Sequence, residues 1–343
     1  MTGINYPWTL FQGAPNYGCD FGLNIWRTHT GVTAHADEVR ADFDAMASIG
    51  LEVVRWFVFC DGRGGVRWDD AGEVDGLAAG FFDDMDAALE IAGDTGVRLC
   101  LVLFDYSWML HREELDGAGA LLFRTRPDLL ISPTSCRRVI ETLVAPVLDR
   151  YGSGGEKQAL GDSIHSFDIV NEPDWVTRGL APDRSRDAAT GKRRLLRPFS
   201  RPELRAFVGR VAERVHERTR ALVTVGGGRV RFASEWDDPA YELDFVQVHS
   251  YPDLRHPRRD ATLMGRSMAS LGLSKPVLIG EFPGRGDRAH PPDHHPPPFS
   301  LEDYLDLARD GAFLGAWPWS FKGVDQFGAV DAEAMRAWIE ESQ

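Results

Sequence analysis

The chain runs to 343 residues, of which 43% are hydrophobic and 26% charged, and it carries a formal net charge of −14. That charge repels a phosphate backbone or an anionic lipid surface, which sets nucleic-acid and membrane partners aside, and nowhere do about 18 uncharged apolar residues run together to span a bilayer. Met1 to Trp8 lack the cationic-then-apolar pattern of an export signal, so the expectation is a cytoplasmic protein in which residues 1–343 form one decorated domain.

Eight short runs rich in Val, Ile, Leu and aromatic residues follow one another at 21–26, 52–60, 97–104, 164–171, 221–226, 244–250, 276–281 and 312–319. Between them lie stretches with helical spacing: Asp37 to Ile49, Phe81 to Ala92, Ser135 to Tyr151, Arg201 to Arg220, Leu301 to Ala308 and Ala332 to Ile339. Ser135, Ser200 with Glu203 three residues on, and Ser300 with Asp303 suit helix starts, where a side-chain oxygen accepts from an otherwise unpaired backbone N–H. Repeated strand–helix units dictate a parallel sheet with right-handed crossovers, and eight of them predict a closed (β/α)8 barrel, the TIM-barrel architecture. An open doubly wound sheet competes with it. No Gly-x-Gly-x-x-Gly turn follows the first run, however, and Gly226-Gly227-Gly228 sits at the fifth.

Long connections follow the third, fourth and seventh runs, at 105–134, 173–199 and 282–299. All would emerge at the C-terminal face, where barrel enzymes keep their chemistry. Cys19, Cys60, Cys100 and Cys136 are widely spaced with no Cys-x-x-Cys pair, and read as reduced core residues.

Two of the runs end in glutamate: Ile169-Val170-Asn171-Glu172-Pro173 and Val277-Leu278-Ile279-Gly280-Glu281-Phe282. An acid at a strand exit is held rigidly and still meets solvent, and two such acids suffice to protonate a leaving group and attack the carbon it leaves. Arg55 interrupts the apolar run Val53 to Phe59. An unpaired charge there would cost several kcal/mol, so it should meet a carboxylate, Glu281 being best placed; a salt bridge that only ties strands together needs the same partner. Gln247, His249 and Tyr251 share one face at the end of the sixth run, because side chains alternate along a strand. Trp317 and Trp319 share parity at the end of the eighth, with Trp319 as a platform for the apolar face of a pyranose and Trp317 as its packing neighbour.

Asn171-Glu172-Pro173, His249-x-Tyr251, Glu281, Trp319 in the ending Trp-Ser-x-Lys-Gly, and Arg55 together resemble the clan A glycoside hydrolases, and within them the family 5 cellulases and β-mannanases. The likeness spans nearly the whole barrel, from Asn24 to Trp319. It implies a retaining β-glycosidase acting on β-mannosides or β-glucosides, without cofactor or metal, in which Glu172 is the general acid/base and Glu281 the nucleophile. It further implies that Asn171 holds the sugar hydroxyl at C2, that Arg55 and Tyr251 hydrogen-bond Glu281, and that His249 supports the sugar or the acid/base. Asn24 and Trp26 of the first run are counted with the sugar-supporting residues.

Family 5 members often place a histidine near the end of strand three; here Asp105 and Tyr106 stand there, with His111 further on, so the pocket beside the scissile bond is expected to be lined differently. Trp108 and Trp175, early in their loops, either stack on further sugars or anchor those loops. His290 to Pro298 offers metal-ligating side chains, but the prolines favour a stiff loop bordering the cleft. The basic stretch Lys192 to Arg197 either meets an acidic sugar or forms a solvated flap. A transglycosylase using the same residues and a catalytically silent carbohydrate-binding barrel are the competing functions.

Overall fold

Seven parallel strands form one sheet in the computed structural model, which describes residues 1–180, 199–251, 263–284, 299–325 and 327–342. They are β1 (Gly3–Asn5), β2 (Val53–Phe57), β3 (Arg98–Asp105), β4 (Ile164–Asn171), β5 (Leu222–Gly227), β6 (Val246–His249) and β7 (Val277–Glu281), each paired with the next in chain order. The residues after Gly315 close the ring as an irregular eighth stave. Ala316 bridges Ile279, Trp319 bridges Pro283, and the Asn5 N–H donates to the Pro318 carbonyl at 3.1 Å. The result is the (β/α)8 barrel.

The first strand corrects the sequence expectation. Residues 21–26 form no strand, and only Asn24 makes an isolated bridge, to Gly64. That run is apolar because it packs: Phe21 is wholly buried against Trp56 and Phe81. The true first strand, Gly-Ile-Asn, is too short and too polar to stand out as a hydrophobic run.

Among the described residues, one helix follows each stave: α1 (Ala36–Ile49), α2 (Phe81–Thr95), α3 (Pro133–Val139, continuing through a π-turn at Ile140–Val144 into Ala145–Tyr151), α4 (Arg201–Arg218), α5 (Ala233–Trp236), α6 (Met268–Leu271), α7 (Leu301–Asp310) and α8 (Ala332–Ser342), with shorter helical turns between. Ser200 and Ser300 form capping boxes with Glu203 and Asp303. Each such cap is worth about 1 kcal/mol. Ser135 caps nothing, because α3 begins two residues earlier at Pro133, whose fixed φ and missing N–H suit a first helical position. Among the described residues no helix is long and apolar enough to cross a membrane.

Inside the barrel the side chains lie in layers. Val53, Cys100, Phe245, Leu278 and Trp317 fill the lower end with apolar surface. Above them Asn5, Arg55, Asp168 and Gln247, all wholly buried, make a polar layer. Phe57, Cys60, Val102, Trp319 and Val324 line the mouth, with Trp8 and Tyr251 packed against them. All four cysteines are buried and free.

Candidate active site

Glu281 ends β7 with 6% of its side chain exposed. Arg55 Nη1 donates to its Oε1 at 2.6 Å, the Tyr251 hydroxyl donates to its Oε2 at 3.0 Å, and His249 Nδ1 lies 3.4 Å from Oε2. The wholly buried guanidinium serves a second carboxylate as well. Its Nε and Nη2 donate to Asp168 Oδ2 at 3.0 and 2.8 Å, while Nη1 reaches Asn5 Oδ1 and Nη2 reaches Asn171 Oδ1. Asp168 accepts further from Gln247 Nε2 at 2.8 Å and from the Gly226 N–H at 2.9 Å. Sequence reasoning missed both Asp168 and Asn5. Asp168 could have been found as Arg55 was, as an ionisable residue inside an apolar strand; Asn5 was hidden by the misplaced first strand.

Glu172 follows β4 in the left-handed region, at φ 50° and ψ 42°, a conformation that costs a glutamate roughly 1–2 kcal/mol. The neighbouring strand helps to hold it there, because its N–H donates to the Gly226 carbonyl at 2.6 Å. The side chain keeps 18% exposure. His249 Nδ1 approaches Oε1 at 3.0 Å and Trp175 Nε1 donates to Oε2 at 2.8 Å. The histidine tautomer follows from its neighbours. Gln247 must turn its NH2 toward the Asp168 carboxylate, which can only accept, so the same NH2 faces His249 Nε2 at 3.4 Å. Nε2 is therefore the acceptor, and Nδ1 carries the hydrogen that points at the glutamates.

An oxygen of Glu172, a ring nitrogen of His249 and an oxygen of Glu281 all lie within 4.8 Å of one another. This is the one such grouping of potential metal ligands among the described residues. Arg55 already occupies Glu281 at hydrogen-bond distance, and its fixed positive charge opposes a cation there. The set suits proton transfer better than a divalent ion.

Burial raises both carboxyls, and their neighbours differ. Burial, then the charges of Asp174 and Asp105, push Glu172 up to about 8. Burial also raises Glu281, with His249 and Arg55 working in the opposite direction and Glu172 with it. Burial drives His249 down to about 4, so its ring is neutral at pH 7. That leaves Arg55 as the permanent cation in contact with Glu281, and Glu172 as the carboxyl better able to keep a proton.

Asn171 is fixed at both ends of its amide: Oδ1 accepts from Arg55 at 2.7 Å and Nδ2 donates to Asp105 Oδ2 at 2.9 Å. Asp105, standing where the resemblance leads one to look for a histidine, thus orients Asn171 and also accepts from the Ser107 N–H. Trp319 lies at the mouth, edge-on to Trp8 and Phe57, with its indole N–H on Asp325 at 2.7 Å.

Other candidates are not brought to the carboxylates. Trp317 is wholly buried in the lower apolar layer, pressed against the backbone of Gly3, where an added Cβ would meet its indole. Trp108 is also wholly buried, stacked on Trp68 at 5.6 Å and edge-on to Phe104, and so anchors its loop. Asn24 spends its Oδ1 on the N–H groups of Trp26 and Thr28 in its own turn, and Trp26 stands 47% exposed on that turn. The stretches Lys192 to Arg197 and His290 to Pro298 lie outside the described residues.

Two of the three glycines at the end of β5 have a local reason. A Cβ at Gly226 would come within 2.9 Å of Arg55 Nη2 and Asp168 Oδ2, and one at Gly228 within 2.9 Å of Trp175 Nε1 and 3.1 Å of Glu172 Cγ. Only a chain without side chains passes this close to both acids.

No protein-family model matches the chain, and no curated protein matches it. Solved structures do. A β-mannanase from the blue mussel Mytilus edulis shares 21% identity over 98% of this chain and 90% of its own, with a TM-score of 0.70. An endo-1,4-β-mannanase from Eisenia fetida shares 20% over 98% and 89%, with a TM-score of 0.68. An exo-β-1,4-mannosidase from Opitutaceae bacterium strain TAV5 shares 18% over 99% of this chain and 59% of its own, with a TM-score of 0.61. Likeness at these identities establishes the barrel fold.

Proposed function

We propose that the chain is a retaining β-glycosidase of the clan A, family 5 type, with β-mannosides as its first substrate class. The observation that carries the reading is the approach of Glu172 and Glu281 to within 4.8 Å, oxygen to oxygen. A retaining pair stands about 5–5.5 Å apart, whereas an inverting pair needs about 6.5–9.5 Å to admit a water between the acid and its partner. The names of the mannanases and the mannosidase of the same fold support mannosides as the first choice over glucosides.

The side chains divide the work. Glu281, ionised beside Arg55 and Tyr251, attacks the anomeric carbon as the bond to the leaving oxygen breaks, and the Glu172 proton passes to that oxygen. Water then gives a proton to Glu172, its oxygen bonds the anomeric carbon, and the ester bond electrons return to Glu281. Asn171, locked by Arg55 and Asp105, offers its remaining amide N–H to the hydroxyl at C2. Trp319 meets the apolar face of the sugar.

The test uses a panel of aryl β-mannosides and β-glucosides with manno-oligosaccharides. The expected outcome is release from the mannosides with retained anomeric configuration by NMR, and a fluorosugar trapped on Glu281 in a peptide digest. Release from none of the panel would favour a silent carbohydrate-binding barrel.

A further inference from the structure

The turn after β4 holds contacts that the steps above leave unused. Trp175 Nε1 donates to Glu172 Oε2, and the indole packs against the guanidinium of Arg229, whose carbon lies 4.7 Å from the Trp175 ring and 4.7 Å from that of Phe232. Arg229, 3% exposed, is fixed by Asp174: Nε donates to Oδ2 at 2.9 Å and Nη2 to the backbone carbonyl at 3.1 Å. The wholly buried Asp174 takes the Gly228 N–H on its other oxygen at 2.7 Å. A buried ion pair, a backbone N–H and a glycine therefore converge on one result: a single indole N–H pressed against one oxygen of Glu172.

That donor matters most once Glu172 has lost its proton. In the first half of the reaction the proton leaves with the departing oxygen, and the charge of Glu281 is consumed in the ester. The buried negative charge thereby moves from Glu281, beside Arg55, to Glu172. The groups facing Glu172 are Asp174 from its own turn, Asp105 from the end of β3, Arg55 from β2, His249 and Tyr251 from β6 and its end, and Glu281 from β7. With Glu281 held as an ester, Asp174 and Asp105 remain as carboxylates among them, and Arg55 is spent on Asp168 as well. The charge is met directly by two neutral donors, the His249 Nδ1–H on Oε1 and the Trp175 N–H on Oε2. Hydrogen bonds to an ionised group are the stronger kind.

We propose that Trp175 is a positioning residue for the second half of the reaction: its indole N–H, held in place by the Arg229–Asp174 pair, steadies the Glu172 carboxylate while it takes the proton of the attacking water. The inference rests on Glu172 being the acid/base.

Trp175→Phe keeps a ring beside Arg229 and removes the donor. A dinitrophenyl β-mannoside supplies a leaving group that departs without a proton, so kcat/KM reads formation of the glycosyl-enzyme and kcat reads its hydrolysis. Expected is a kcat lowered about 10- to 100-fold with kcat/KM held within about 2-fold. Azide, which attacks with no proton to lose, should restore turnover and yield the β-mannosyl azide. Trp175→His, which returns a ring N–H, should recover part of kcat; where Trp175→Phe does not fold, the same split and azide response are read on Trp175→Leu, which also lacks the donor. Equal loss of kcat and kcat/KM without azide rescue would mark a merely structural tryptophan, and wild-type kinetics would leave the donor without a role; either overturns the proposal. Should the unaltered protein release no dinitrophenol, it is the glycosidase reading that fails.

Discussion

The surroundings of Glu281 and of Glu172 are built in different ways. Glu281 is held from inside the barrel by Arg55 of β2, itself shared with Asp168 of β4, with His249 of β6 and Tyr251 beyond it. Glu172 is held mainly from outside the strands, by Trp175 of its own turn and by the Asp174, Gly228 and Arg229 contacts beneath that turn, with His249 as the link between the two sides. One acid is fixed by the closure of the fold, the other by a local turn. Changes on the first side should therefore strike stability and chemistry together, and loss of the Trp175 donor on the second chiefly the chemistry.

The largest effect expected is from Glu281→Gln, which should lower kcat by at least about 10^4-fold with every leaving group, because the attacking atom is gone. Glu172→Gln should lower kcat/KM about 10^2- to 10^4-fold with poor leaving groups, and far less with a dinitrophenyl glycoside. Equal sensitivity of the two variants to the leaving group would erase the distinction drawn between the two acids.

Arg55→Met tests whether the Glu281 side belongs to the fold. Removing one partner of a buried ion pair costs roughly 3–5 kcal/mol, and here two carboxylates, Asp168 and Glu281, lose their cation at once. Urea unfolding should show the loss, and an unchanged midpoint would mean that the polar layer does not hold the barrel together.

These contrasts also explain what could be read from the sequence. Strand parity places Gln247, His249 and Tyr251 on one face, and the rule that a buried charge needs a partner leads from Arg55 to Glu281. The same rule applied to Asp168 would have completed the network. Nothing in a period of two or 3.6 reports that segments 55 residues apart, at Asp174 and Arg229, meet beneath Glu172; such meetings belong to loop geometry. Trp108, Trp175, Trp317 and Trp319 look alike as letters, and only depth in the barrel separates the plug and the anchor from the tryptophan at the mouth.

A smaller effect concerns pH. With Glu172 pushed up to about 8, kcat/KM for a substrate that needs its proton should fall as pH rises through that value. Glu281, raised by burial, should place the acid limb above the ordinary carboxylate range. A basic limb that stays put in Glu172→Gln would assign it to another group.

The smallest effect is on stability. A carboxyl whose value is higher folded than unfolded contributes stability that is complete below its ordinary value and lost as pH rises through the folded one. Glu172→Gln, unable to ionise, should gain Tm relative to the unaltered protein between about pH 5 and pH 8. A gap that does not widen over that window would mean Glu172 ionises without burial cost.

Arg55 has two acidic partners where one would satisfy it, and the second becomes useful during the proposed cycle. While Glu281 is tied up as an ester, Asp168 keeps both of its hydrogen bonds to the guanidinium. The interior is never left with a bare cation, and no rearrangement of the core is required each time a sugar is attached and released. Asp168 acts as ballast: the barrel keeps its electrical trim while the reactive carboxylate comes and goes.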